Sequence, residues 1–197
     1  SGLHREQGRY EDAQREAQEA HDIATALGAL YAVAEAAYAL GEISRLQGAT
    51  EEAIAHYAAA LKNLPEITDP ELAWRTHYGT GLALADQGKV PTAIAELQAA
   101  VELIEGVRDR LEDQRFRTGY LQDKLQLYAN LVRLQMSAGQ AENAFSTAER
   151  LRARSYRDLV ERDTLEAEVA DNSQADEIGL RERIRQLRKV IKEESVL

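Results

Sequence analysis

GATEEAIAHYAAAL at 48–61 and GKVPTAIAELQAAV at 88–101 are two copies of one pattern: a Gly, four residues, an Ala, and a second Ala seven residues further on. The same device opens GRYEDAQREAQEA at 8–20 and GQAENAFSTAERL at 139–151. The pairs are Gly8/Ala13, Gly48/Ala53, Gly88/Ala93 and Gly139/Ala144, spaced by 40, 40 and 51 residues. A left-handed Gly ends a helix without steric cost, and a small Ala one turn into the next helix lets two helices approach closely. The later position reads Ala20, Ala60, Ala100 and Leu151. A period of about 20–50 residues on helical sequence predicts a solenoid of stacked helix pairs.

Composition agrees. Among 197 residues, 44% are hydrophobic and 29% charged, with only three prolines, which suits one array with an ample core. Ala, Leu, Glu, Arg and Gln, all good helix formers, dominate, so the chain reads as all-α. No apolar run approaches the ~20 residues that span a bilayer. The opening Ser1-Gly2 falls inside a repeat, so we read the sequence as a piece of a longer protein; the composition suits a bacterial cytoplasmic one.

Charge and residue types narrow the chemistry. The net charge is −10, with 7 Lys+Arg against 15 Asp+Glu in residues 1–100. Phosphate-backbone binding needs clustered positive charge, so nucleic acid is not the expected partner. There is no cysteine, which excludes thiolate nucleophiles and Cys metal sites within this sequence. His4, His21, His56 and His77 form no i, i+4 metal pair, and the glycines are single rather than a phosphate cradle. Acidic pairs such as Glu51-Glu52 sit at helix starts, where the helix dipole favours them. The expectation is no enzyme within this sequence, no metal and no cofactor. Arg150, Arg154 and Arg157 share a helix face, and pairing with Glu149, Asp158 and Glu161 is their simplest role.

Leu40, Gly41, Gly48, Ala53, Tyr57, Ala60 and Pro65 fill, in order, a pattern that resembles the tetratricopeptide repeat. The third unit has Gly81 mid-helix after Thr80; the fourth departs further, with Val132 for the mid-helix Gly and Leu151 for the second Ala. The resemblance implies a right-handed superhelical solenoid of antiparallel helix pairs, here with repeats of about 40 residues. First helices are expected at about Leu30–Leu46 and Glu71–Asp86. LKNLPEITDPE reads as the inter-repeat turn, with Pro65 closing a helix, Asp69 capping and Pro70 opening the next. A poorly marked break is expected around Arg108–Gln114. We divide the chain into an array over 1–163, a linker over 164–177, and a capping or contact helix over 178–197. That last helix carries Leu180, Ile184, Leu187 and Ile191 as one apolar stripe on a basic background.

Residues 113–163 show a narrower likeness. Arg115-Phe116, Leu127-Tyr128, Ala144-Phe145, Ala148-Glu149-Arg150, Ala153-Arg154 and Asp158-Leu159 resemble the tetratricopeptide array that precedes a CHAT domain, a caspase-like peptidase module. That resemblance implies a regulatory or sensor array joined to such a domain, whose catalytic His and Cys lie outside this sequence.

In such arrays the first helix of each pair lines a concave groove for proteins or peptides. Carried over by position, the resemblance points to Arg5 in the first unit and to Glu35, Tyr38, Glu42 and Arg45 in the second. It points to Arg75, Tyr78, Leu82 and Asp86 in the third, and to Asn130, Arg133 and Ser137 in the fourth. Tyr and Arg make good contact anchors, although the tyrosines equally suit packing between helices and the arginines a solvated face. The Lys and Asn set that clamps chaperone C-terminal carboxylates is not found. The alternatives are a homo-oligomerising structural module and the peptide-signal receptor part of a transcriptional regulator.

Overall fold

Left-handed glycines punctuate the chain. Gly28, Gly48, Gly88 and Gly139 have φ of 66°, 79°, 73° and 72°. Behind each, the following amide reaches back over the helix end: Ala49 N donates to Ser44 O (2.8 Å), Lys89 N to Leu84 O (2.9 Å) and Gln140 N to Gln135 O (2.8 Å). This is the Schellman closure, which satisfies carbonyls left without intrahelical partners. A computed structural model describes residues 2–67, 69–111, 120 and 124–153. Its helices are α1 (Gly2–Ala26), α2 (Leu30–Leu46), α3 (Thr50–Ile67), α4 (Pro70–Asp86), α5 (Val90–Arg110) and α6 (Leu125–Ser137). Helical residues 141–153 follow. Among the described residues there is no strand.

Each helix packs on its sequence neighbours, and α2 also touches α4, so the architecture is a tetratricopeptide-like helical solenoid. The repeat positions build its spine. Ala53, Ala60, Ala93 and Ala100 have no exposed surface, and Ala144 is buried. The main core joins Trp74, Leu97, Ile104, Leu127, Tyr128 and Leu131 across α4, α5 and α6.

Three expectations need correction. Gly8 lies inside the unbroken α1 and ends no helix; the turn before α2 is made by Gly28 instead. One Gly in a helix costs only about 1 kcal/mol, and the residues around it favour helix. Ala20 is exposed, and Ala13 only half-buried, unlike Ala53 and Ala60 at the same repeat positions. Pro65 does not close α3, which runs to Ile67. The 40-residue period is therefore absorbed by longer helices, of 17 residues in α2 and 18 in α3, with only residues 68–69 between α3 and α4.

Asp69 caps α4 as expected. Its Oδ1 accepts from Glu71 N (2.8 Å) and Leu72 N (3.2 Å), and Pro70 takes the first helical position, where an amide would lack a partner. The break near 108–114 begins at Leu111, which is extended; residues 112–119 lie outside the described ones. The linker at 164–177 and the terminal helix at 178–197 lie outside them too.

Mid-helix glycines set how close the helices come. A Cβ on Gly41 would lie 2.6 Å from the Tyr57 ring, one on Gly79 2.5 Å from Tyr57 Cζ, and one on Gly81 2.8 Å from Leu97. Tyr57 has no exposed surface, so its ring is held between α2 and α4. Gly79→Ala forces that ring to shift and is expected to destabilise the fold by about 1–2 kcal/mol net, overpacking outweighing the helix-propensity gain. Gly106→Ala, at an α5 position with nothing within 4 Å, is expected to stabilise by about 0.5–1 kcal/mol. Chemical denaturation of both variants checks the opposite signs.

Candidate partner-binding groove

Alternate helices α2, α4 and α6 carry the sequence-predicted groove residues, and the fold draws most of them into two clusters. In the first, the Arg75 guanidinium lies over the Tyr38 ring at 4.7 Å, and the Tyr38 and Tyr57 rings are 6.0 Å apart. Stacking leaves the edge of a guanidinium free to donate. Beneath it, Arg45 donates to Glu42 at 3.0 Å, and Tyr57 Oη donates to the other oxygen of the same carboxylate. Glu42 is thereby fixed from two sides, and Arg45 is half-buried rather than solvated.

A second cluster joins helices far apart in sequence. Asn130 Nδ2 donates to Tyr78 Oη at 2.8 Å, and Arg133 donates to Asn130 Oδ1 at 3.0 Å. Asn130 is buried while Arg133 is exposed. The Tyr78 ring also packs 6.5 Å from Trp74. Helix α4 contributes to both clusters, Arg75 to the first and Tyr78 to the second.

The remaining predicted residues stand apart. Glu35 lines the α1–α2 cleft near Tyr31. Leu82 is half-buried and Asp86 exposed. Ser137 Oγ donates to Leu134 O at 2.8 Å and so finishes its own helix. Arg5 lies on α1 ahead of the described side chains. Of the arginine patch, Arg152 pairs with Glu149 at 2.6 Å, and Arg154 and Arg157 lie outside the described residues.

Sequence reasoning missed three features of the site. Tyr57 was legible as a repeat position but not as the second donor to Glu42. Lys124 is buried against Trp74 (5.2 Å) and Tyr120 (4.1 Å), a cation between two rings. His77 Nδ1 lies 2.7 Å from Glu96 Oε2, tying α4 to α5. No periodic signal marks such pairs, because their partners differ from unit to unit.

Residues 1–66 match the family model described as the tetratricopeptide repeat. With the all-helical fold, that match supports a tetratricopeptide-repeat protein. A search among curated proteins found no match. Tetratricopeptide repeats generally mediate protein–protein interaction, and the fold is typically a non-catalytic scaffold. Among the described residues, no helix is long and apolar enough to cross a membrane, and no three His, Asp or Glu side chains gather as metal ligands.

The tyrosines of this array carry a pH signature. Burial raises Tyr38, Tyr57 and Tyr78 above the ordinary phenol value, and the Glu42 carboxylate adds to the effect at Tyr57. Burial pushes Tyr128 up to about 12, against the opposing charge of Arg108. A raised phenol pKa means that the fold prefers the neutral form. The stabilisation is complete below the unfolded value of about 10 and is lost as pH climbs through the folded values. For Tyr128 the two-unit gap corresponds to roughly 2–3 kcal/mol. We expect stability to fall from about pH 10 towards about 12, with tyrosinate absorbance and loss of helical circular dichroism rising together. Tyr128→Phe should make that fall shallower.

Proposed function

We propose that the groove face of α2, α4 and α6 is the binding surface of a protein- or peptide-recognition module. The observation that carries this reading is the continuity of the surface. Arg75 of α4 stacks on Tyr38 of α2, and Tyr78 of α4 meets Asn130 and Arg133 of α6, so three successive groove helices are linked by directional donors and aromatic area, with the Arg45–Glu42 pair tied to the first link through Tyr57. Because Glu42 and Asn130 hold the arginines in place, a ligand meets preorganised groups and less side-chain entropy is lost on binding. The mixed charge, with Arg75 and Arg133 together with the Arg45–Glu42 pair, fits a polar peptide that offers both carboxylates and amides.

The wider context we propose is the sensor or regulatory array of a protein with a CHAT-type protease domain. It is supported by the likeness over 113–163, of which Leu127-Tyr128, Ala144-Phe145 and Ala148-Glu149-Arg150 fall on described helices. In this reading the groove event passes along the stacked helices to the neighbouring module. A reading frame that continues past Leu197 into a module with paired His and Cys supports it; a complete gene without one ends it.

Peptides selected from a displayed library on the 197-residue chain provide the probe for the groove. Arg45→Ala and Tyr78→Ala are each expected to weaken the selected peptide about tenfold or more, with circular dichroism unchanged. Affinity unchanged from that of the unsubstituted chain in both variants removes the groove assignment.

A further inference from the structure

Tyr57 carries an oxygen that its packing does not need. Forty residues on, Leu97 lies against Gly81 as Tyr57 lies against Gly41. An aliphatic side chain therefore suffices at this repeat position to support the close approach of two helices. A buried hydroxyl, by contrast, must be given a partner, because taking it from water without one is unfavourable. Tyr57 has no exposed surface, and its hydroxyl finds its partner on a groove residue, Glu42. The oxygen also belongs to a set. Tyr57, Glu42 and Arg45 correspond to Leu97, Leu82 and Ala85 in the third unit, and to Ala148, Arg133 and Met136 in the fourth. Neither later unit keeps any of the three in place. The set is specific to this step of the groove and is not a requirement of the fold.

Its geometry runs from core to surface. Tyr57 Oη donates to Glu42 Oε1, and Arg45 Nη2 donates to Glu42 Oε2 at 3.0 Å, so each carboxylate oxygen has a donor. The Glu42 side chain is 30% exposed and that of Arg45 23%. Arg45 Nε is enclosed and donates to no group among the described residues, so the Glu42 bond is what orients this guanidinium. Burial, with the Glu42 carboxylate adding to it, holds the Tyr57 phenol neutral and its proton available to donate. We infer that the Tyr57 hydroxyl, though wholly buried, is a specificity determinant of the groove: it keeps Glu42 on Arg45, so that this step offers a ligand a fixed donor in preference to an acceptor. The inference rests on the groove assignment and names what the ligand must bring here, an acceptor oxygen and not a cation. Charge-assisted bonds occupy both oxygens of Glu42, and a ligand cation would have to compete with one of them. Without the hydroxyl, one oxygen opens, and the carboxylate is free to leave Arg45 or to receive a cation.

Tyr57→Phe keeps the ring between Gly41 and Gly79 and removes only the oxygen. The first readout needs no ligand. Exchange of the enclosed Arg45 Nε proton, followed by NMR in the free chain and assigned by its loss in Arg45→Ala, is expected to quicken about tenfold. Glu42→Ala, which leaves the Tyr57 ring in place, should quicken the same exchange. The second readout uses the peptide selected on the native chain, whose affinity is expected to fall about fivefold as an ordered donor is lost. In a Glu42→Ala background, Tyr57→Phe should change affinity by less than about twofold, because the hydroxyl acts through that carboxylate. Peptides selected afresh on the Tyr57→Phe chain should carry more Lys and Arg than those selected on the native chain. Circular dichroism checks that each variant is folded. Unchanged Arg45 exchange in Tyr57→Phe overturns the inference. An equal loss of affinity with and without Glu42 also overturns it, assigning the effect to the ring. Arg45→Ala without effect on the peptide removes the groove assignment itself, whereas Arg45→Ala weakening the peptide while Tyr57→Phe does not overturns this inference alone.

Discussion

One ring sets the spacing of α2, α3 and α4. Tyr57 rises from α3 between Gly41 of α2 and Gly79 of α4, and neither glycine leaves room for a Cβ. Three helices from two repeats thus meet on a single side chain. Its hydroxyl ends on Glu42, the carboxylate that also holds Arg45. The contact that fixes helix spacing in the core therefore also fixes the orientation of a charged group on the groove. Core and surface are coupled through one residue, and a small change in ring position is transmitted to the arginine without any long path between them.

The next unit solves the same problem differently. Leu97 stands forty residues after Tyr57 and fills the space above Gly81, without a polar tip to reach the groove. In its place, Tyr78 packs beside Trp74 and its hydroxyl meets Asn130 across to α6. Where a buried tyrosine organises the first groove step, a buried amide and a half-buried phenol organise the second. The surface is continuous, but its two halves are stabilised by different chemistry, so they need not read a ligand in the same way.

How much was legible follows from how local each cause is. Gly48, Gly88 and Gly139 require a left-handed backbone, and the sequence announces that by residue type alone. Asp69-Pro70 is equally local, since a cap and a first-turn proline act within three residues. Gly8 carried the same mark as its counterparts and meant nothing of the kind, because a lone glycine ends a helix only where the surroundings give the chain something to turn against. Gly28 was the reverse: it lies outside the forty-residue register and yet makes the turn. The groove residues followed from repeat position, which places a side chain on a face but does not say what it touches. Asn130 and Tyr78 are 52 residues apart, and no periodicity encodes that pairing. The two donors to Glu42 and the cation held between Trp74 and Tyr120 belong to the same class of information, visible only once the helices are stacked.

The long period has a consequence for what the array can present. At 1.5 Å per residue, the 17 residues of α2 and of α4 make a wall about 25 Å high. An extended strand crossing the groove helices occupies roughly one turn of each, and a helix, about 10 Å wide, roughly two. Tyr38 and Tyr78 stand 40 residues apart, at the same repeat position of successive groove helices. Helix length as well as repeat number therefore sets the capacity of this surface.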